Sequence, residues 1–170
     1  MTQVLLRPAD GYWSKVRRTD RRAVALADRH YSRQTVGAPE FMASGRTFVM
    51  LTADALAVWG AIENLDPAGN RRWRCSIFRN ESMVLSSALI VEATERTYAY
   101  WTRRYHGLPP VPFTTEVDPT KTLRKRDPGR CFRKAGWTVL GTVRGLVVLR
   151  APSAVTSLAD ARRKRDGEGK

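Results

Sequence analysis

Three short segments decide the fold: FRNES at residues 78–82, TEVDP at 115–119 and DPGRCFRKAGW at 127–137. The first two contain polar corners that follow apolar strands, and an apolar helix over Ser86–Tyr105 separates them. The third is a short helix that ends at a Gly-Trp pair. Because open sheets bind ligands beyond the carboxyl ends of their strands, the two corners predict a site at one edge of a sheet.

The flanking sequence predicts the other elements of this sheet. Apolar residues at helical spacing after Thr19 and Asp20 predict a capped helix over residues 20–30. We expect an α/β (α+β) protein with one domain at 1–152, a mixed, largely antiparallel sheet flanked by helices, and a basic, flexible tail at 153–170. The predicted strands are 4–6, 47–51, 55–62, 73–78, Phe113–Val117, Thr138–Val143 and Leu146–Arg150.

The composition points to a polyanionic partner. The 170 residues include 30 lysines and arginines against 16 aspartates and glutamates, which gives a net charge of +14. Such a field favours nucleic acid, and the excess of arginine over lysine suits phosphate binding and base stacking. The alternative is a solvated basic surface in a protein whose genome encodes arginine in place of lysine.

Cysteine use and hydropathy set the expected compartment. Cys75 and Cys131 lie far apart in the sequence without a CxxC motif, so we expect free thiols rather than a structural zinc site. The chain lacks a signal-peptide pattern and has no apolar run of the roughly 18 residues that a membrane helix needs. We therefore expect a cytoplasmic protein with no membrane partner.

Two further segments carry candidate binding residues. The loop TKTLRKRDP at 120–128 is strongly basic and lies between two predicted site elements, which favours phosphate contact over a merely solvated role. Near the N-terminus, a basic aromatic patch has two open interpretations, a helix-start staple or a stacking and phosphate-binding surface. That patch consists of Tyr12, Trp13, Lys15, Arg17 and Arg18.

The order of elements resembles that of the Gcn5-related acetyltransferases (GNAT). CFRKAGW at 131–137 is similar to the short helix and glycine-aromatic turn that this family places before its last two strands. A narrower resemblance is to the Mom family. It rests on HYSR (30–33), the loop with Gly37 and Pro39, FRNE (78–81), the pair Ser86-Ser87, VDP (117–119), DPG (127–129), CF (131–132) and KAGW (134–137). Mom proteins are phage-associated, have a GNAT-like fold and convert adenine in DNA to its carbamoylmethyl form, which blocks restriction enzymes.

The resemblance implies a transferase that acts on the exocyclic amine of adenine in DNA, and it leaves the donor open. Acetyltransferases cradle the coenzyme A pyrophosphate in a glycine-rich turn, whereas RNESMVLS at 79–86 has no glycine and its Glu81 is expected to repel that group. Carbamoylmethyl-adenine is an isomer of glycyl-adenine. Glycyl-tRNA is therefore a second donor candidate beside acetyl-CoA, and tRNA a possible partner.

Each site residue has an expected role. We expect His30 and Asp118 to handle protons and Asn80 and Glu81 to position the amine or the donor. The expected nucleic-acid contacts are Tyr31, Ser32, Arg33, Arg79, Lys121, Arg124, Lys125 and Arg126, and the expected donor contacts are Ser86, Ser87, Phe132 and Lys134.

These roles have structural alternatives. Asp118 before Pro119 can form a turn, Asn80 can cap a strand exit, Ser86 and Ser87 can cap the helix that follows them, and aromatic side chains can pack in the core. A metal held by histidine and carboxylates is not expected, because the chain has only two histidines. The alternative functions are a conventional GNAT acyltransferase on a protein or small amine and a non-enzymatic basic nucleic-acid-binding module. The oligomeric state is left open, a homodimer included.

Overall fold

The computed structural model describes residues 7–122 and 127–154, which form one seven-stranded sheet and three helices. In chain order these elements are β1 Trp13–Val16, α1 Arg21–Asp28, β2 Arg46–Thr52, β3 Ala57–Leu65, β4 Arg71–Asn80, α2 Ser86–Tyr105, β5 Phe113–Val117, α3 Arg130–Lys134, β6 Thr138–Val143 and β7 Leu146–Arg150. The mixed α/β class is confirmed, and after β1 the elements follow the helix, hairpin, strand, helix, strand, helix, hairpin order that the sequence predicted.

The strands are ordered β1-β2-β3-β4-β5-β7-β6, and every neighbouring pair is antiparallel except β4 and β5. These two parallel strands pair only from Trp73 with Phe113 to Cys75 with Thr115. Both strands then continue without pairing to each other, β4 to Asn80 and β5 to Val117. Their carboxyl ends lie at the same edge of the sheet, so the two polar corners meet there as predicted.

A bulge in β4 lies where the two strands separate. Gly60 of β3 faces Ile77 and Ala61 faces Cys75, which leaves Ser76 as an extra residue on β4. The bulge reverses the alternation, because Cys75 packs under α2 while Ile77 packs with α1 on the other face. Bulges re-aim side chains and end strand pairing, and they are over-represented next to functional sites.

The helices pack on opposite faces of the sheet. Under α2 and α3 lies an aromatic core in which five tryptophans meet, and the smaller core under α1 contains Leu26 and Ile62. The five tryptophans are Trp13, Trp59, Trp73, Trp101 and Trp137, each no more than 3% exposed.

Strand β1 was not predicted, and it changes the interpretation of the N-terminal patch. Trp13 is 2% exposed, and its Nε1 donates a hydrogen bond of 2.9 Å to the carbonyl of Leu89. Both interpretations of the patch are therefore wrong for Trp13, which is an edge-strand residue in the core. Lys15 lies 4.9 Å from the centre of the Tyr100 ring, a cation–π geometry.

A buried carboxylate anchors the chain before β1. Glu92 of α2 is 3% exposed and accepts hydrogen bonds from the backbone N–H of Tyr12 at 2.9 Å and from Arg96 Nε at 2.8 Å. Arg7 Nε donates to its other oxygen at 3.1 Å. Glu92 was not predicted to be buried, because a glutamate on an amphipathic helix is ordinarily a surface residue.

Helix capping gives one confirmation and one correction. Asp20 caps α1 by accepting from Arg22 N at 2.9 Å, as predicted. The capping role expected for Ser86 and Ser87 is wrong, because the N-cap residue of α2 is Leu85 and it makes no side-chain cap hydrogen bond.

Three predicted features lie outside the described residues: the strand 4–6, the basic residues Arg124, Lys125 and Arg126, and the tail from 155 onward. Within the described part, no helix is long and apolar enough to cross a membrane.

Candidate functional site: a cleft between two separating strands

A cleft of about 910 Å³ opens where β4 and β5 separate. The two strands form its floor, the start of α2 forms one wall, α3 forms another, and the loop after α1 closes the rim. Nine of the residues predicted for the site line this cleft: His30, Tyr31, Arg79, Asn80, Ser86, Ser87, Lys121, Phe132 and Lys134. Asp118, Glu81, Ser32 and Arg33 are near it without lining it.

His30 is held in a defined orientation at the rim. Helix α1 ends at Asp28, and the backbone N–H of His30 turns back to donate to Ala27 O at 2.9 Å. The ring Nδ1 accepts from Ser32 N at 3.2 Å and lies 2.7 Å from Ser32 Oγ. A backbone N–H donating to Nδ1 favours the tautomer with its proton on Nε2. Ser32 therefore orients the histidine.

Tyr31 links the rim to the end of β5. Its ring stacks on His30 at 4.4 Å, and its hydroxyl accepts a hydrogen bond from Asp118 N at 3.4 Å. Burial is the main cause of a raised pKa for Tyr31, so the hydroxyl is neutral at physiological pH. The residue is 37% exposed, which leaves part of the ring open to a stacking ligand.

The geometry of Asp118 supports the structural alternative. Its Oδ1 accepts from Thr120 Oγ at 2.6 Å and from Thr120 N at 2.9 Å, which closes the turn after β5. The hydrogen bond from the Thr120 hydroxyl is the main cause of a lowered pKa for Asp118. A carboxylate in this environment is a weak proton acceptor.

Glu81 is an ion-pairing residue between two arginines. Its carboxylate accepts from Arg29 at 2.7 and 2.9 Å and from Arg79 Nε at 2.7 Å. The hydrogen bonds from Arg29 and then Arg79 lower the pKa of Glu81 to about 2. The repulsion of a donor pyrophosphate expected from Glu81 is not supported, because the carboxylate is paired with both arginines and does not line the cleft.

Asn80 organises the loop between β4 and α2. Its Nδ2 donates to Val84 O at 2.8 Å and to Ser86 Oγ at 3.1 Å. Its Oδ1 accepts from Ser82 N at 2.9 Å and from Ser82 Oγ at 2.6 Å. Both polar atoms of the amide are therefore used within the loop, which places the first turn of α2 against the cleft.

The start of α2 gives the cleft an anion-attracting wall. Ser86 and Ser87 are the first two residues of this 20-residue helix, they line the cleft, and the first turn contains no acidic residue. The first N–H groups of a helix lack intrahelical acceptors and carry the positive end of its dipole. This wall therefore favours an anionic group in the cleft.

The opposite wall adds exposed cations. Arg130, Lys134 and Lys121 are exposed and line the cleft. Sequence reasoning missed Arg130, which directly follows Gly129 at the start of α3. The only signal for it was its position beside the predicted DPG corner.

Two predicted binding residues are used by the fold instead. Arg33 is 7% exposed at its side chain and donates to Asp28 at 2.7 Å and to the carbonyls of Ala38 and Glu40 at 2.6 and 2.9 Å. These bonds hold the loop after α1, and the nucleic-acid contact predicted for Arg33 stays a prediction. Phe132 touches the cleft but is 6% exposed and packs 5.0 Å from Trp137, so its main role is in the core.

Neither cysteine forms a disulfide, and both line the cleft, although they are far apart in sequence. Cys75 is buried, which raises the pKa of its thiol, and Cys131 is half-buried in the first turn of α3. Within residues 7–122 and 127–154, no three His, Cys, Asp or Glu side chains are grouped to hold a metal ion.

The chain matches no protein-family model, curated protein or solved structure.

Proposed function

We propose that the protein is a DNA-modifying transferase of the Mom kind, which alters the exocyclic amine of adenine and so protects DNA from restriction. The observation that carries this proposal is one cleft that combines an oriented histidine with the start of α2 and a cationic wall on α3. In a chain of net charge +14, such a cleft suits a nucleic-acid acceptor and an anionic donor.

Adenine is a poor nucleophile because the lone pair of its amine is delocalised into the ring. The amine must lose a proton as the new bond forms, and the donor carbonyl must be polarised. Since Glu81 and Asp118 have lowered pKa values, His30 is the better candidate for both tasks. Its Nε2–H can donate a hydrogen bond to the carbonyl oxygen of the donor substrate. In the other tautomer, Nδ1–H donates a hydrogen bond to Ser32 Oγ at 2.7 Å in place of accepting one from Ser32 N, and Nε2 becomes the proton acceptor.

An activated glycyl ester accounts for a carbamoylmethyl product with balanced atoms. The adenine amine attacks the ester carbonyl, gives up a proton and expels the ribose hydroxyl of tRNA, which forms glycyl-adenine. The glycyl amine then attacks the ring carbon that carries the amide, and the original carbon–nitrogen bond breaks. This rearrangement gives the isomeric carbamoylmethyl-adenine without an oxidant or a reductant.

The test is mass spectrometry of nucleosides from the DNA of cells that express the protein. We expect a deoxyadenosine heavier by one carbamoylmethyl unit, a loss of roughly 100-fold or more in His30→Ala, and an unchanged level in Arg103→Ala, an exposed control on α2. Unmodified DNA from cells with abundant soluble protein would overturn the proposal. Isotope-labelled glycyl-tRNA and acetyl-CoA, compared with purified protein, identify the donor.

A conventional GNAT acyltransferase remains the second candidate. The observation in its favour is that Glu81 is paired with Arg29 and Arg79, which removes the expected repulsion of a pyrophosphate. Tight binding of acetyl-CoA in calorimetry, together with acetylated protein or amine and unmodified DNA, would establish this function instead.

A further inference from the structure

One part of the sheet carries arginines on a face that no described helix covers. Helices α2 and α3 pack on one face, while α1 packs on the other through residues that contact β2, β3 and the end of β4. Within residues 7–122 and 127–154, the α1 face of β5, β7 and β6 is therefore left open.

Strand register places three arginines on this open face. Thr114 of β5 is paired with Arg74 of β4 on one side and with Arg150 of β7 on the other, so the three side chains point to the same face. Arg72 precedes Arg74 by two residues and shares its face, since the intervening Trp73 is buried under α2. Arg72, Arg74 and Arg150 are here named the arginine face.

The arginine face has more positive than negative charge. Arg72 forms an ion pair with Glu116, whose charge it neutralises. Arg74 is half-buried, and its Nε is buried without a hydrogen-bond partner among the described residues. Burial, and then the neighbouring Arg72, lower the pKa of Arg74, which shows that its charge is poorly compensated. A half-buried charge with a buried, unbonded N–H costs free energy, and an anion that reaches the exposed part of the guanidinium would offset part of that cost.

Glu116 connects this face to the cleft. The residue pairs with Arg72 and also lines the cleft, so the arginine face begins where the cleft opens. Tyr31, with its partly exposed ring, lies at the same opening. An arginine side chain suits phosphate because its planar fork can make two hydrogen bonds at once. A polynucleotide held on the arginine face can therefore present a base to the cleft.

We propose that the arginine face docks the backbone phosphates of the DNA acceptor, beside the cleft in which the base is modified. This assignment rests on the proposed function for the identity of the polyanion. It places the sequence-independent part of DNA binding on the sheet, outside the cleft.

The first experiment measures binding of a labelled mixed-sequence DNA duplex as a function of salt concentration. The double variant Arg74→Met/Arg150→Ala leaves the Arg72–Glu116 pair in place. We expect about a tenfold or greater rise in Kd. The slope of log association constant against log salt concentration is negative, and its magnitude should fall by about 2. The control Arg21→Ala/Arg103→Ala removes the same charge at exposed positions on α1 and α2. An equal loss in the control, or no loss in the double variant, would overturn the proposal.

The second experiment separates a binding role from a structural one. In Arg74→Met the apolar stem is kept and the buried donor is removed, so we expect an unchanged or higher Tm without DNA together with weaker duplex binding. A lower Tm with unchanged binding would refute the docking role. Equal competition by polyglutamate and DNA would refute the nucleic-acid assignment.

These results are separate from those of the nucleoside assay. If the arginine-face variants bind duplex weakly but no nucleoside is modified, the docking surface stands and the proposed reaction fails. If adenine is modified and the variants bind normally, the reaction stands and the docking surface fails.

Discussion

The carboxylates near the cleft show, at the scale of single residues, how neighbours decide what an ionisable group can do. Glu81 and Asp118 follow strands at the same sheet edge, which is why the sequence suggested them for the site. Glu81 forms an ion pair with Arg29, which lies 52 residues earlier in the chain, and Asp118 accepts a hydrogen bond from Thr120. Both are stabilised as anions, so they shape the site rather than accept protons there.

The stability of the protein should depend on pH through Glu81. A pKa lowered from 4.5 to about 2 stabilises the fold above pH about 4.5, and this contribution is lost as the pH falls toward 2. We expect Glu81→Gln to lower the free energy of unfolding by about 1 kcal/mol near neutral pH, after allowance for solvent screening. The difference from wild type should narrow below about pH 4.5, as measured by urea denaturation.

The matched control is Glu40→Gln, which removes a single exposed ion pair with Arg18 at 3.2 Å. Its expected effect is below about 0.5 kcal/mol. A difference between wild type and Glu81→Gln that stays constant from neutral to acid pH would contradict the ion-pairing role.

At the scale of elements, helix α2 organises both the cleft and the N-terminal segment. Its first turn lines the cleft, while Glu92 in its second turn binds the backbone before β1. Asn80 sets where the helix begins, through bonds to Val84 and Ser86. The loop is thus ordered by one amide side chain.

Two glycines with the same backbone angle test the Glu92 anchor. Gly11 and Gly37 both have φ of +82°, but a Cβ on Gly11 would overlap the Glu92 carboxylate, whereas one on Gly37 would meet nothing within 4 Å. We expect Gly37→Ala to lower the free energy of unfolding by about 1 kcal/mol, because alanine is strained in the left-handed backbone conformation and meets no other obstacle. Gly11→Ala should cost about 3 kcal/mol, because it also displaces a buried carboxylate. Chemical denaturation of both variants measures the difference, and equal costs would contradict the anchor.

At the scale of the whole molecule, the most deeply buried strand lies in the middle of the sheet. All residues of β3 from Ala57 to Glu63 are buried between two neighbouring strands and two helical layers. All six residues of β6 are exposed, and within residues 7–122 and 127–154 this strand is paired on one side only. Local opening should therefore require far less free energy in β6 than in β3.

Hydrogen exchange should show this gradient directly. We expect β3 amides to exchange only with global unfolding, and the amides of β6 that do not bond to β7 to exchange fastest among the strands. The measurement is exchange followed by mass spectrometry at several protein concentrations. Protection of β6 equal to that of β3 would contradict the prediction and would indicate that another chain covers this edge.

Much of the fold was predictable because its determinants are local. Apolar runs marked β2 and β3, alternation marked β4, Asp20 marked the start of α1, and Gly136 marked the end of α3. Strand β1 was missed because it has four residues, and its tryptophan is buried by α2 rather than by a local pattern. The cleft was placed at the correct sheet edge because parallel strands end together.

The amino-acid sequence by itself determined the order of the elements, the mixed α/β class, the positive charge and the two polar corners, since these follow from local periodicity, capping and composition. Tertiary structure decided the bulge at Ser76, the separation of β4 from β5, the pairing of Glu81 with Arg29 and the arginine face. Each of these depends on contacts between residues far apart in the chain, and only packing and strand register bring such residues together.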